Sequence, residues 1–348
     1  MILHINLAKG FRGGEKQTLL LIKALSKKKI RQCIIIRRKN SLLKKNLEII
    51  ENIKIIEISK PFFFSLFKLK GLFTKNTIIH CHEAKSVQFG FLINMFYGSG
   101  YIITKRNDTK LNNNFSIFLY KKASKVIAIS ESIKKNLIII NKMIDVVPDG
   151  IEDIQFNNDV SIFLKNKYFN KKIIGNIAAM DNDSKGHDIL INVANLLKTE
   201  KNVVFFLIGG GKKFSFFKKE SEFLDNIEFT GFVENPYDYL SIMNIFLFPS
   251  LSEGLGSSIL DALYLGVPVI ASNVGGIPDI IQDNYNGFLV NPHNIDEIME
   301  KINILIQNEE IRKKFIKNGF ETVKNYDINL IADKYINIYK EINNEIFY

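Results

Sequence analysis

The 348-residue chain has no tryptophan, only two cysteines, Cys33 and Cys81, and only five histidines. Each scarcity excludes something. Two separate cysteines inside apolar runs make no disulfide framework; they read as buried small hydrophobes in a reducing compartment. No Cys/His cluster with metal-ligand spacing is visible, so no metal is expected. No apolar run reaches the roughly eighteen residues of a membrane span. Met1 leads straight into the strand-like Ile2-Leu-His-Ile-Asn6, so no signal peptide is expected. The expected location is the cytoplasm, or the cytoplasmic side of a membrane.

What is present is a folding composition. Hydrophobic residues make up 46% and charged residues 24%, which places the chain among globular proteins. The length suits two domains. The net charge of +11 is unevenly placed: residues 1–150 hold 28 Lys/Arg against 9 Asp/Glu, and residues 151–348 hold 19 against 27. The N-terminal half is therefore expected to meet something anionic. Pro61-Phe-Phe-Phe-Ser-Leu-Phe-Lys-Leu-Lys-Gly-Leu-Phe-Thr-Lys75 interleaves aromatics with lysines. It reads either as a helix lying in an anionic bilayer interface or as a core helix with a solvated face.

Short apolar strands alternate with helical sequence along the whole chain. Strands are predicted at 2–7, 33–36, 53–58, 77–80, 101–104, 126–129 and 146–147, with helices at 16–28, 114–122 and 131–138. The pattern restarts with strands at 172–177, 203–208, 227–229, 245–248, 267–271 and 287–290, and helices at 187–198, 295–307, 310–324 and 329–346. Such alternation means parallel sheets covered on both faces. The polar stretch 154–159 is the best boundary. Two doubly wound halves place ligands at the carboxyl ends of strands.

Pro249-Ser-Leu-Ser-Glu-Gly-Leu-Gly-Ser-Ser-Ile-Leu-Asp261 follows an apolar strand and sets Glu253 and Asp261 eight residues apart. Its small residues open a helix, whose amides and positive end suit an anion. A carboxylate in the same turn can grip neutral hydroxyls beside that anion. This combination suits a nucleoside diphosphate carrying a sugar. The alternative is a plain strand, loop and packing helix. Leu265-Gly-Val-Pro-Val-Ile-Ala-Ser-Asn-Val-Gly-Gly-Ile-Pro-Asp279 and Asn286-Gly-Phe-Leu-Val290 follow.

With these three runs the chain resembles glycosyltransferase family 4, the large retaining family of GT-B fold, over nearly its whole length. The implied architecture is two Rossmann-like domains facing across a cleft. Domains are expected at 1–160 (acceptor side) and 161–328 (nucleotide-sugar side), with a helix over 329–348 crossing back to the first domain.

The resemblance assigns roles. Glu253 would contact the donor sugar and support positive charge developing on it. Asp261, shorter than the family's usual Glu, would hold the ribose. Gly256, Ser257 and Ser258 would bind the distal phosphate. Lys185 in Gly175-Asn-Ile-Ala-Ala-Met-Asp-Asn-Asp-Ser-Lys-Gly-His187 would grip the diphosphate. The family's usual Arg falls at Asn176, in a loop about two residues longer, so a replacement cation is needed from Lys212, Lys213 or Arg12. Gly14, in Phe11-Arg-Gly-Gly-Glu15, would border donor and acceptor, although two glycines here also serve a tight strand-to-helix turn. In His80-Cys-His-Glu83, His82 matches the position that approaches the donor sugar and would orient it and stabilise charge; a packing histidine is the alternative. Lys105 and Arg106 add positive charge where many relatives carry a histidine. Ser130 reads as a helix N-cap. Asp149 replaces the Asn of the family's Pro-Asn-Gly turn, with little functional cost expected.

The implied activity is retaining hexosyl or heptosyl transfer from a nucleotide-sugar donor to a hydroxyl of a lipid-linked or phosphorylated glycan. Front-face attack is the mechanism usually proposed for the family. Lipopolysaccharide or surface-glycan synthesis at the cytoplasmic face of the inner membrane is the setting implied, with peripheral contact to anionic lipid. No cofactor beyond the donor and no nucleic-acid partner are expected, since no recognition module is legible. Three alternatives stay open: a nucleotide-sugar 2-epimerase, which needs its own acid/base set; a non-catalytic glycan-binding protein, if Asn176 and Asp261 abolish donor binding; and, ranked last, a basic nucleic-acid-binding protein.

Overall fold

The computed structural model describes residues 1–38, 40–59, 69, 74–140 and 142–344. Most of the aromatic–lysine segment 61–75 lies outside them. The chain divides into two compact units, Met1–Glu152 with Tyr326–Tyr348, and Asp153–Asn325. The divisions fall at 152/153 and 325/326, where the sequence suggests 160/161 and 328/329.

The first unit is a seven-stranded parallel sheet in the order β3-β2-β1-β4-β5-β6-β7. Its strands are β1 (Ile2–Asn6), β2 (Gln32–Arg37), β3 (Ile53–Ile58), β4 (Ile78–Cys81), β5 (Tyr101–Lys105), β6 (Lys125–Ala128) and β7 (Ile144–Val146). Helices α1 (Gly13–Lys27), α2 (Ser41–Glu48), α3 (Ala84–Tyr97), α4 (Asn114–Lys122) and α5 (Glu131–Asn136) connect them. Strands such as β1 and β4 are buried at every position, as a sheet covered on both faces demands. Helix α5 ends sooner than the sequence suggests, and Ile138–Ile140 form a separate 3-10 turn.

The second unit repeats the scheme with six parallel strands in the order β10-β9-β8-β11-β12-β13. They are β8 (Lys172–Ile177), β9 (Val203–Ile208), β10 (Ile227–Gly231), β11 (Ile245–Phe248), β12 (Val269–Ser272) and β13 (Phe288–Val290). Its helices are α6 (Asn158–Lys167), α7 (His187–Leu196), α8 (Phe214–Glu220), α9 (Tyr237–Leu240), α10 (Ser257–Tyr264), α11 (Ile295–Gln307) and α12 (Glu309–Lys324).

The last helix, α13 (Ile328–Ile342), belongs to the first unit. Its buried residues Ile328, Ile331, Ala332, Tyr335, Ile338 and Tyr339 recur at helical spacing and pack with Leu20, Leu21, Ala24 and Leu25 of α1. Each Leu or Ile side chain removed from water there contributes roughly 1.5–3 kcal/mol. In both sheets the strand order reverses once, between β1 and β4 and between β8 and β11. The crevice outside the carboxyl ends of such strand pairs is where doubly wound sheets bind ligands.

Candidate functional site

Each reversal carries one of the two residue groups singled out in the sequence. In the first unit β4 ends at Cys81, and His82 follows. The register pairs His4 of β1 with His80 of β4, and the alternation of the strand brings His82 to the same side. Three imidazoles therefore cluster: the His80 and His82 ring centroids are 3.9 Å apart and those of His4 and His82, which stack, are 5.2 Å apart. All three are buried. This corrects the expectation that no histidine cluster exists. The sequence hides it because His4 joins through strand register alone.

The three rings offer nitrogens within 4.8 Å of one another, as metal ligands would. Those nitrogens already have polar partners. His4 meets His82 at 2.9 Å and Gln32 at 3.0 Å, while His80 meets Tyr339 and Thr104, each at 2.8 Å. The group is a hydrogen-bonded cluster. Burial is the main cause holding all three neutral: it pushes His4 down to about 4, and His80 and His82 well below 6.5, with neighbouring imidazoles and Arg106 adding to the effect on the latter two.

Beside them lies a cavity of about 300 Å³ lined by Gly14, Glu15, His82, Glu83, Lys105 and Arg106, among others. The structure thus brings Gly14 and His82 together. A side chain at Gly14 would meet only the Arg106 side chain at 3.9 Å, so the bare backbone of α1 opens onto this space. Arg106 Nε donates to Asp149 at 3.1 Å, and both side chains are largely buried. Asp149 is therefore an ion-pair partner as well as a turn residue, which its place in Pro148-Asp-Gly150 did not reveal. Lys105 donates to Asn107 at 2.6 Å, and burial pushes its ammonium down to about 8. Glu83 is spent on capping α3: it accepts from Lys85 and Ser86 amides at 2.7 and 2.8 Å. Ser130 accepts from the Ile133 amide at 3.3 Å and caps α5.

In the second unit, Lys185 Nζ donates to Glu253 Oε2 at 2.5 Å, across 68 residues of sequence. Two glycines make this possible. Gly186 adopts φ +67°, and a Cβ there would lie 2.0 Å from the Pro249 carbonyl oxygen. Gly275 adopts φ +56°, and its Cβ would lie 1.9 Å from the Glu253 carbonyl oxygen. Only glycine allows both loops to close on the segment between β11 and α10. Leu251 N–H donating to Ser184 at 2.8 Å ties the same loops. Gly256 then precedes α10, and no side chain caps that helix. Ser257 and Ser258 open it half-buried, and Asp261 is buried one turn further on.

Asn176 lies in β8 with its amide donating to the Leu247 carbonyl at 2.8 Å and 1% of its surface exposed. It ties the adjacent central strands β8 and β11 and is no substitute for a phosphate-binding arginine. Of the candidate replacements, Lys213 is paired with Asp183 at 2.6 Å.

Residues 159–322 match the family described as glycosyl transferases group 1. The matched residues lie within the second unit, Asp153–Asn325. A capsular polysaccharide biosynthesis glycosyltransferase, CapM, of Staphylococcus aureus is 29% identical over 232 residues, 61% of each chain. The N,N'-diacetylbacillosaminyl-diphospho-undecaprenol alpha-1,3-N-acetylgalactosaminyltransferase of Campylobacter jejuni is 28% identical over 183 residues, 52% of this chain and 48% of that protein. The chain thus spans about half to three-fifths of these relatives. The crystal structure of Anabaena Alr3699/HepE in complex with UDP and glucose superposes with a TM-score of 0.84 at 17% identity, covering 98% of this chain and 99% of that one. The fold of the whole chain is GT-B.

Proposed function

We propose that this glycosyltransferase moves a sugar from a nucleoside diphosphate to a hydroxyl of a surface glycan, with retention at the anomeric carbon. The observation that carries the reading is the Lys185–Glu253 pair beside the uncapped start of α10, at the strand-order reversal of the unit that matches the family. Diphosphate oxygens would take Lys185 and the first-turn amides at Ser257 and Ser258, with Gly256 allowing close approach. Glu253, released from Lys185 by the arriving phosphate, would face the sugar and support the positive charge that develops as the C1–O bond breaks. Asp261 would hold the ribose. Front-face attack needs no protein nucleophile, and the departing phosphate would take the acceptor proton. Gly14, His82 and the cavity beside them would serve the sugar and the acceptor hydroxyl.

The names of the relatives support a glycan of the cell surface, built on a lipid-linked or phosphorylated acceptor. Peripheral attachment to an anionic membrane fits the exposed apolar residues Phe115 and Phe118 on α4, together with Ile138, Ile139 and Met143, among Lys121, Lys122, Lys134 and Lys135. Helix α4 touches the Ile138–Ile140 turn, so these residues form one surface. Among the described residues no helix is long and apolar enough to cross a membrane. Sedimentation with liposomes should show binding that grows with anionic lipid content; equal binding to neutral liposomes would remove the attachment. The transfer itself is tested with a panel of nucleotide sugars and polyprenyl-linked glycan acceptors. Nucleoside diphosphate should be released only when acceptor is present, and the product linkage should keep the donor's anomeric configuration. Release without acceptor, or an inverted linkage, would overturn the reading.

A further inference from the structure

The buried imidazoles of the first unit form a directed chain, and its direction can be worked out from both ends. At one end is the Ile22 carbonyl oxygen, which can only accept; Gln32 Nε2 donates to it at 3.1 Å. The Gln32 amide is therefore fixed, and its Oε1 faces His4 Nε2 at 3.0 Å. An oxygen there accepts, so His4 Nε2 carries the proton. A neutral imidazole has a single N–H, which leaves His4 Nδ1 bare. His82 Nε2 lies 2.9 Å from it and must be the donor. His82 Nδ1 is then bare in turn. At the other end stands Arg106 Nη1, 3.4 Å from His82 Nδ1, a group that only donates. A carbonyl at one end and a guanidinium at the other dictate the same polarity.

We infer that His4 and Gln32 are positioning residues that lock His82 as the Nε2–H tautomer, presenting Nδ1 as a fixed hydrogen-bond acceptor for a ligand hydroxyl at the cavity shared with Gly14 and Arg106. The assignment of that hydroxyl to a sugar rests on the proposed transferase reading; the tautomer lock does not. The lock has a chemical consequence. His82 can receive a hydrogen bond from a hydroxyl but cannot offer one to a carbonyl, carboxylate or phosphate oxygen at the same spot. A site with one fixed acceptor selects strongly against a ligand lacking the donor. The long Arg106 contact is the one a hydroxyl would shorten or replace. The ring is also held in place: His80 packs against it and is itself tied to Tyr339 and Thr104, while Thr104 meets Tyr335 at 3.1 Å. Burial among two neutral imidazoles and a guanidinium disfavours an imidazolium, the one state that would break the chain's direction.

The test is imidazole nitrogen NMR on the purified, ligand-free protein at pH 7. Five histidines give a spectrum that single substitutions can assign, and His82→Asn identifies the ring in question. The expected result is a protonated Nε2 and a bare Nδ1 at both His4 and His82. His4→Asn places an amide oxygen near the position of Nδ1 and should keep the His82 tautomer. His4→Leu removes the acceptor, and the Nδ1–H form of His82 should rise at least about tenfold, the worth of one hydrogen bond. A wild-type His82 carrying its proton on Nδ1, an imidazolium at pH 7, or a tautomer unmoved by His4→Leu would overturn the inference. The wild-type spectrum decides even if a variant fails to fold. Because no substrate is used, failure here is distinct from failure of the transferase reading.

Discussion

The two units share a topology but arrange polar groups at the strand-order reversal in opposite ways. In the first, the groups are buried imidazoles held neutral, with one buried ion pair, Arg106–Asp149, beside them. In the second, the Lys185–Glu253 pair is partly open, with side chains 26% and 15% exposed. A neutral, hydrogen-bonded group can fix direction and geometry but cannot neutralise a charged leaving group. An accessible ion pair can exchange its partner for an arriving anion at modest desolvation cost. On the proposed reading, the same crevice in the same fold serves hydroxyl recognition in one unit and diphosphate binding in the other.

This contrast can be broken experimentally. The largest effect is expected at Glu253: Glu253→Ala should lower turnover by about 10²–10³-fold, the scale for losing one group that stabilises transition-state charge. Binding of a nucleoside diphosphate alone should change little, so kinetics and calorimetry together read the split. Near-normal turnover would misplace the sugar site. Next is Asp149→Ala, which leaves the Arg106 guanidinium buried without this partner and should cost about 3 kcal/mol of stability. Denaturant unfolding measures it, and a loss indistinguishable from that of a surface alanine substitution would show the pair to be dispensable. Lys185→Ala should weaken nucleoside diphosphate binding about tenfold to a hundredfold, as expected for a charge-assisted bond to phosphate.

A further effect concerns pH. His4 and His187 are pushed down to about 4, and His80 and His82 well below 6.5. Above pH 6.5 these groups are neutral folded or unfolded. Below it the unfolded chain takes up protons that the folded one refuses, so stability is lost as pH falls from 6.5 toward 4. Each histidine contributes a slope of about 1.4 kcal/mol per pH unit. Three of the four lie in the first unit, so hydrogen exchange at pH 5.5 against pH 7 should show greater loosening there. Equal loosening in both units would count against the neutral cluster.

Much of this was legible in the sequence, for identifiable reasons. Strands such as 203–208 and 245–248 match the structure residue for residue, because buried parallel strands are continuous apolar runs bounded by polar turns. Helices α2, α3 and α6 were not legible. Helix α3 is apolar around most of its circumference and shows no stripe, while α6 opens in the polar stretch read as a linker. At the candidate sites, local motifs led to Gly14, His82, Lys185 and Glu253. The partners His4, Gln32 and Asp149 stayed hidden, since register and topology alone bring them close. Asn176 shows the reverse: its place was legible, but its commitment to the Leu247 carbonyl was not.

The central claim is that the second unit binds a nucleoside diphosphate through Lys185 and the start of α10. Calorimetric titration of the full chain with UDP, GDP and ADP tests it most directly. At least one should bind saturably to one site per chain, and Lys185→Ala should weaken that binding at least about tenfold. No binding by any of the three, or binding that Lys185→Ala leaves untouched, would contradict it.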